Sequence, residues 1–162
     1  MIQKIISGGQ TGADRAALDW AIAHCIPHGG WCPAGRRAED GIIPWRYDLR
    51  ETPARRYQQR TQWNVRDSDA MLIISLSAEL TGGSLATREW ANKIDRPCLH
   101  VYPCNEWRDN LRTFIETHPI RVLNVAGPRL SGAAGIEQFV DEVLDEICTY
   151  CEHRNRVYGN VV

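Results

Sequence analysis

Four short apolar runs, separated by longer amphipathic stretches, constrain the fold of this chain most strongly. The runs are rich in Ile, Leu and Val and do not alternate with polar residues. Strands of that composition are buried on both faces, which is typical of a parallel sheet covered by helices. We predict strands at residues 2–7, 70–76, 97–102 and 121–126, with a shorter strand at residues 30–33.

The stretches between and after these runs have the spacing of helices. Apolar residues recur at i, i+3, i+4 and i+7 in residues 18–25 and again in residues 136–148. Three more helices are predicted at residues 57–68, 84–94 and 105–117. Strands that alternate with helices over short crossovers indicate an α/β fold, a three-layer Rossmann-like sandwich with a mostly parallel sheet. We expect all 162 residues to form a single domain.

Charge is distributed unevenly along the chain although the net charge is −1. Of the 19 basic residues 17 are Arg, and eight of these lie in residues 36–66 beside four acids. Residues 130–153 hold six acids and no Arg or Lys, which indicates a solvated outer helix face. Arg binds phosphate and carboxylate through a planar fork, whereas a GC-rich genome would equally raise the proportion of Arg.

Residues 33–56 are the poorest in regular secondary-structure pattern. So long a loop inside a domain is usually functional or disordered.

Composition excludes several classes of protein. With 43% hydrophobic and 24% charged residues the chain is neither disordered nor fibrous. No apolar run approaches the roughly 18 residues of a membrane helix, and the opening MIQKIISGG has no export signal. Six scattered cysteines fit a reducing compartment. We therefore expect a cytoplasmic protein with no membrane or nucleic-acid partner.

Cys148, Cys151 and His153 form the one group that suggests a metal. A zinc site requires a second ligand pair of similar spacing, and none is evident in the sequence. Cys148 also continues the apolar face of the last helix. The structural interpretation is favoured, and we predict no metal site.

A glycine-rich loop joins the first strand to the first helix. It runs through SGGQTGAD, and its candidate binding residues are Gly8, Gly9, Gln10, Thr11, Gly12 and Asp14. Glycines let a backbone approach a ligand, and the N–H groups of a following helix N-terminus bind anions. The third glycine of a dinucleotide fingerprint and the Lys of a Walker loop are both missing. A tight turn with Thr11 or Asp14 as helix cap is the alternative.

A second loop of this type follows the central strand. Its candidate residues are Ser75, Thr81, Gly82, Gly83 and Ser84, with Glu89 further along the helix. Ligands bind at the carboxyl ends of strands in an open parallel sheet, so two such loops predict an anion site there. The third glycine-containing loop, residues 127–132, is explained equally well as a surface turn.

Further candidates come from the helix at residues 57–68 and from the Arg-rich segment. Arg60 and Asn64 share one helix face at i, i+4, and either a ligand contact or a structural role is open for each. Arg36 and Arg37 would add positive charge. No catalytic triad, nucleophile elbow or paired carboxylates are evident.

Four segments in one order carry a family resemblance: SGGQTGADRAALDWA, GWCPAGRRAEDGIIP, RTQWNVRDSDAMLII and LTGGSLATREWA. Together they resemble the putative molybdenum carrier family, a circularly permuted branch of the SLOG superfamily related to lysine decarboxylase-like nucleotide hydrolases. The resemblance spans roughly residues 2–150. It implies a Rossmann-like fold, self-association into a homo-oligomer, and molybdoenzymes as recipients of a carried ligand.

The ligand that this resemblance implies is the molybdenum cofactor, a molybdopterin with a terminal phosphate and a metal oxide held by its own dithiolene. Amides of the two glycine-rich loops would hold phosphate or oxyanion. Arg36, Arg37 or Arg60 would add positive charge, and Asp14 or Glu89 would accept from pterin N–H groups. A nucleotide or phosphate is the related alternative ligand.

Two other functions stay open at this point. The hydrolase relatives carry a G-G-x-G-T-x-x-E loop whose Glu takes part in cleaving an N-glycosidic bond. Gly82, Gly83 and Glu89 match that pattern, but Leu85 and Ala86 replace its later Gly and Thr. The third hypothesis is a non-catalytic interaction module whose loops are only turns. We favour a ligand-binding protein over an enzyme.

Overall fold

The computed structural model describes residues 2–158 and contains nine strands. In chain order they are β1 (Lys4–Ile6), β2 (His28–Gly29), β3 (Trp31–Cys32), β4 (Arg37–Ala38), β5 (Gly41–Ile42), β6 (Arg50–Glu51), β7 (Ala70–Ile74), β8 (Cys98–Val101) and β9 (Val122–Ala126). Five of them form the central sheet in the order β2-β1-β9-β7-β8, and every neighbouring pair is parallel. The predicted α/β class with a parallel sheet is confirmed.

Five α-helices cover the two faces of this sheet. They are α1 (Ala13–Ala23), α2 (Tyr57–Arg66), α3 (Gly82–Lys93), α4 (Trp107–Thr117) and α5 (Ile136–Tyr158). The helices α1, α4 and α5 pack on one face, and α2 and α3 pack on the other. Among the described residues, none of these helices is both long and apolar enough to cross a membrane.

The inner strand β7, which lies between β9 and β8, explains why the apolar runs could be read directly from the sequence. All five of its residues are buried. Ala70, Leu72 and Ile74 pack toward the α1, α4 and α5 layer, whereas Met71 packs with α2 and α3. Both faces of the strand therefore exclude water, which requires apolar residues at every position instead of at alternate ones.

The cysteines near the C-terminus pack against this core. Cys148 and Cys151 are half-buried and line an apolar cavity of about 320 Å³ with residues of α1 and β1. Among the described side chains, those of residues 2–151 and 153, no group of three His, Cys, Asp or Glu is placed to hold a metal ion.

Residues 33–56 contribute to a small second core. Cys32, Ile43, Tyr47 and Leu49 are buried there against Leu18 of α1. The segment contains β4, β5 and β6, which form two-residue pairings outside the main sheet. The expectation of a functional or disordered loop did not foresee this packing, because strands of two residues leave no periodic signal.

Arg36 organises this segment. Its side chain is buried, and its guanidinium donates to the backbone carbonyls of Ile43, Pro44, Tyr47 and Leu49 at 2.9–3.1 Å. Four carbonyl oxygens that point inward thereby receive charge-assisted hydrogen bonds. Arg36 thus stabilises the loop from inside and does not project toward a ligand.

Candidate functional site

The strand order places one crevice at the carboxyl edge of the sheet. After β1 the chain moves outward to β2, and after β7 it moves outward in the opposite direction to β8. The last strand, β9, lies between β1 and β7. Diverging connections of this kind leave a gap above the sheet, which is the usual ligand position in open α/β folds.

A cleft of about 630 Å³ occupies that gap. The loops after β1, β7 and β9 all contribute to its lining, together with the first turns of α2. We call this space the cleft throughout. Its principal lining residues are Gln10, Asp14, Tyr57, Arg60, Thr81, Gly82, Gly83, Ser84, Arg129 and Ser131.

The start of α3 faces the cleft. Gly82 and Gly83 form its first turn, and an added Cβ on either glycine would meet no heavy atom of the described chain within 4 Å. Thr81 occupies the N-cap position, yet its side chain makes no capping hydrogen bond within the described chain. Free N–H groups at a helix N-terminus carry a partial positive charge and bind anions. The second predicted loop thus lies where an anion can reach its backbone.

Glycines of the first loop have a different role. Of that loop's described residues, Gln10 and Asp14 line the cleft, while the glycines pack against protein. Gly12 has φ +76, and an added Cβ would lie 2.6 Å from the Leu130 backbone nitrogen. Gly9 packs in the same way against Leu49. These glycines bring neighbouring loops together and are not a phosphate cradle of their own.

An ion pair lies in the cleft wall. The Arg60 guanidinium contacts the Asp14 carboxylate at 3.0 Å, and the two side chains are 15% and 3% exposed. The guanidinium also lies over Gly8, where an added Cβ would overlap it. Arg60 retains one N–H, at Nε, that is buried without a hydrogen-bond partner among residues 2–158. Asp14 and Arg60 are both among the predicted site residues, and the structure places them in contact.

Positive charge also surrounds an aromatic ring at the cleft. The guanidinium carbons of Arg37 and Arg129 lie 5.5 and 4.9 Å from the ring centre of Tyr57. Tyr57 and Arg129 line the cleft, and sequence reasoning selected neither as a site residue. Both lie in elements that the sequence did predict: Tyr57 begins a predicted helix, and Arg129 lies in the third glycine-containing loop.

Glu39 joins the first and third loops through hydrogen bonds. Its carboxylate accepts from the hydroxyl of Thr11 and from the hydroxyl of Ser131, the latter at 2.6 Å. Hydrogen bonds from Ser131 and Thr11 lower the pKa of Glu39 below its ordinary value, because they stabilise the charged form. Thr11 therefore fixes the loop instead of capping α1, and the third loop is part of the cleft rather than a plain surface turn.

Two other predicted residues, Asn64 and Ser75, lie outside the cleft lining and hydrogen-bond to protein groups. Asn64 is buried, and its side-chain amide pairs with the backbone of Trp31 through two hydrogen bonds of 2.7 and 2.9 Å. Ser75 is also buried, and its hydroxyl contacts the Ser77 carbonyl and His100 Nε2 at 2.8 and 2.7 Å. Burial lowers the pKa of His100 below its ordinary value, because it disfavours the charged ring. Both side chains act as structural hydrogen-bonding groups.

Glu89 lies outside the cleft but next to it. It is exposed in a groove of about 500 Å³ between α2 and α3, which we call the α2/α3 groove. Tyr57, Gly82 and Gly83 line the cleft and the α2/α3 groove alike. The two spaces therefore meet at the first turn of α3.

The fold and the cleft define a Rossmann-like α/β protein with its candidate site at the carboxyl edge of a parallel sheet. The profile of the circularly permutated YpsA SLOG family matches residues 5–148. The chain belongs to this family, as the sequence motifs predicted.

A solved structure agrees with that assignment. The chain is similar to a protein of Syntrophus aciditrophicus described as a putative molybdenum carrier protein, with 47% sequence identity and a TM-score of 0.84. The similarity covers 90% of this chain and 94% of the other. No curated protein matches the sequence.

Proposed function

We propose that this protein binds a phosphorylated, ring-containing anion in the cleft and acts as a carrier of the molybdenum cofactor. The observation that carries the proposal is the start of α3, where Gly82 and Gly83 open into the cleft with no side-chain cap within the described chain. The description of the similar Syntrophus protein supports molybdenum as part of the cargo.

The cleft provides what a phosphate requires. Backbone N–H groups of the α3 N-terminus are directional donors, Arg129 adds positive charge, and Arg60 lines the same cleft as a guanidinium paired with Asp14. Asp14 is the buried acid nearby, and its ion pair with Arg60 offsets its charge. A group with several acceptor oxygens fits this end of the site.

The α2/α3 groove provides what a flat heterocycle requires. The Tyr57 ring and the guanidinium groups of Arg37 and Arg129 over it are flat groups at the junction of groove and cleft, and Glu89 is an exposed carboxylate further along the groove. A pterin ring carries N–H groups that can donate hydrogen bonds to a carboxylate. The cofactor holds its metal through its own dithiolene, so these residues would hold the pterin and phosphate ends. Molybdoenzymes as recipients and a homo-oligomeric assembly complete the proposal.

Gly83→Asp tests the anion end. Guanosine 5′-monophosphate is the probe, because it joins a phosphate to a bicyclic ring with a donor edge like that of a pterin. An acid in the first turn of α3 stabilises the helix dipole by up to about 1 kcal/mol but repels an anion. We expect unchanged or higher stability in urea. We also expect about tenfold weaker binding of the probe by isothermal titration calorimetry.

Asn92→Asp is the matched control, since it adds the same charge at the exposed far end of α3. It should bind the probe as the wild type does. Equal affinity of wild type and Gly83→Asp would contradict the proposed site. Release of free guanine that Glu89→Gln abolishes would instead identify an N-glycosidic hydrolase that uses Glu89 of the α2/α3 groove.

A further inference from the structure

The side chain of Gln10 is held in one orientation. Gln10 is 4% exposed and lies just beyond the end of β1. Its Oε1 atom accepts hydrogen bonds from the backbone N–H groups of Thr11 and Glu39, at 3.1 and 2.9 Å. Two N–H donors that converge on one atom fix that atom as the amide oxygen. The other end of the amide is therefore the NH₂ group.

That NH₂ group is unused. Gln10 Nε2 is buried and has no hydrogen-bond partner among residues 2–158. Buried donors without a partner are rare, because the group loses its water without compensation. Gln10 is one of the residues that line the cleft, so its side-chain amide lies beside the proposed anion site.

The surrounding groups favour an acceptor at this position. The open N-terminus of α3 and the guanidinium of Arg60 line the same cleft. The Asp14 carboxylate is already engaged by Arg60 and by the Gln10 backbone N–H. Glu79 is the other acid of the cleft lining, and it is exposed. The cleft that Gln10 lines is thus bordered by backbone and guanidinium donors and by one exposed acid, Glu79.

We infer that the Gln10 side-chain amide donates a hydrogen bond to a tetrahedral oxyanion held at the N-terminus of α3, and that it determines the selectivity of this subsite for acceptor oxygens. The inference rests on the proposed function. It names Gln10 as the residue that recognises the anion bound at the start of α3. A phosphoryl group and a metal oxyanion share this chemistry, and the experiment distinguishes them.

Gln10→Glu is the decisive variant. It retains the oxygen that accepts from Thr11 and Glu39 and replaces only the donor with a second carboxylate oxygen. Titration calorimetry with inorganic phosphate and, separately, with molybdate measures the affinity. We expect about 100-fold weaker binding, because a like charge then faces the anion. Binding of phosphate alone assigns a phosphoryl subsite, and binding of molybdate alone assigns a metal-oxo subsite.

Gln3→Glu is the control. Gln3 is exposed at the opposite, amino-terminal end of β1, so the same change of charge should leave the affinity unchanged. If Gln10→Glu binds as tightly as the wild type, the role of Gln10 is wrong while the cleft remains the binding site. If the wild type binds neither anion, both the role of Gln10 and the anion end of the proposed function are wrong.

A second measurement does not depend on the folding of a variant. In ¹⁵N-labelled wild-type protein, the two Gln10 Nε2 protons should shift on addition of whichever anion binds. The side-chain amide resonances of Gln3 should not move. Gln10 resonances that stay fixed at saturating anion would overturn the inference.

Discussion

Gly127→Ala is expected to reduce the free energy of unfolding by about 3 kcal/mol, at the upper end of the usual cost of overpacking. Gly127 directly follows β9, and an added Cβ would overlap the carbonyl oxygen of Ile74 at the end of β7. The Cβ of Ala13 would lie 2.5 Å from it. Strand backbone and helix cannot both move away without opening the carboxyl edge of the sheet. Urea unfolding followed by circular dichroism measures the loss.

Gly132→Ala is the matched control for this prediction. It lies in the same loop, and an added Cβ there has no described heavy atom within 4 Å. Its effect should stay within about 0.5 kcal/mol, as for an ordinary surface substitution. Similar unfolding curves for the two variants would show that the three loops do not pack as closely as described.

Arg36→Met should be at least as harmful, with a loss of about 3 kcal/mol or more in unfolding free energy. The substitution retains much of the apolar stem but leaves four inward-pointing carbonyls without their donor, and each unsatisfied buried acceptor is costly. We expect residues 33–56 to detach first. Thermal unfolding and limited proteolysis of this segment together report the effect.

Arg37→Met provides the comparison, because Arg37 is the adjacent residue, is exposed, and contacts only the ring face of Tyr57 among the interactions described here. Its loss should be no more than about 1 kcal/mol. If Arg36→Met and Arg37→Met have equal stability, Arg36 does not hold the segment together.

The sequence was sufficient for four of the five strands of the main sheet, and the reason is physical. The two-residue edge strand β2 was not predicted, and the strand expected at residues 30–33 is β3, which pairs with β6 outside the main sheet. A strand such as β7, buried on both faces, needs an unbroken apolar run, and such a run is visible without any partner. The two-residue strands β4, β5 and β6 carry no such pattern. The segment that contains them is held by Arg36, whose carbonyl partners lie up to 13 residues away in sequence. Sequence periodicity cannot reveal hydrogen bonds of that kind.

The candidate site was partly foreseeable for the same reason. Gly82 and Gly83 begin a helix directly after a buried strand, a local pattern that indicates an anion site. The role of Gly12 depends on the approach of the third loop, which follows from the position of β9 between β1 and β7. Strand order is a tertiary property. The contributions of Arg129, Ser131 and Glu39 to the site and its loops were therefore missed.

We propose that the cleft holds a phosphorylated, ring-containing anion at the start of α3. Native mass spectrometry of the protein purified from the cells that make it tests this claim most directly, with Gly83→Asp prepared in the same way. We predict that the wild type carries the added mass of such a compound and that Gly83→Asp does not. A wild type without added mass, or an equal added mass on both proteins, would contradict the account.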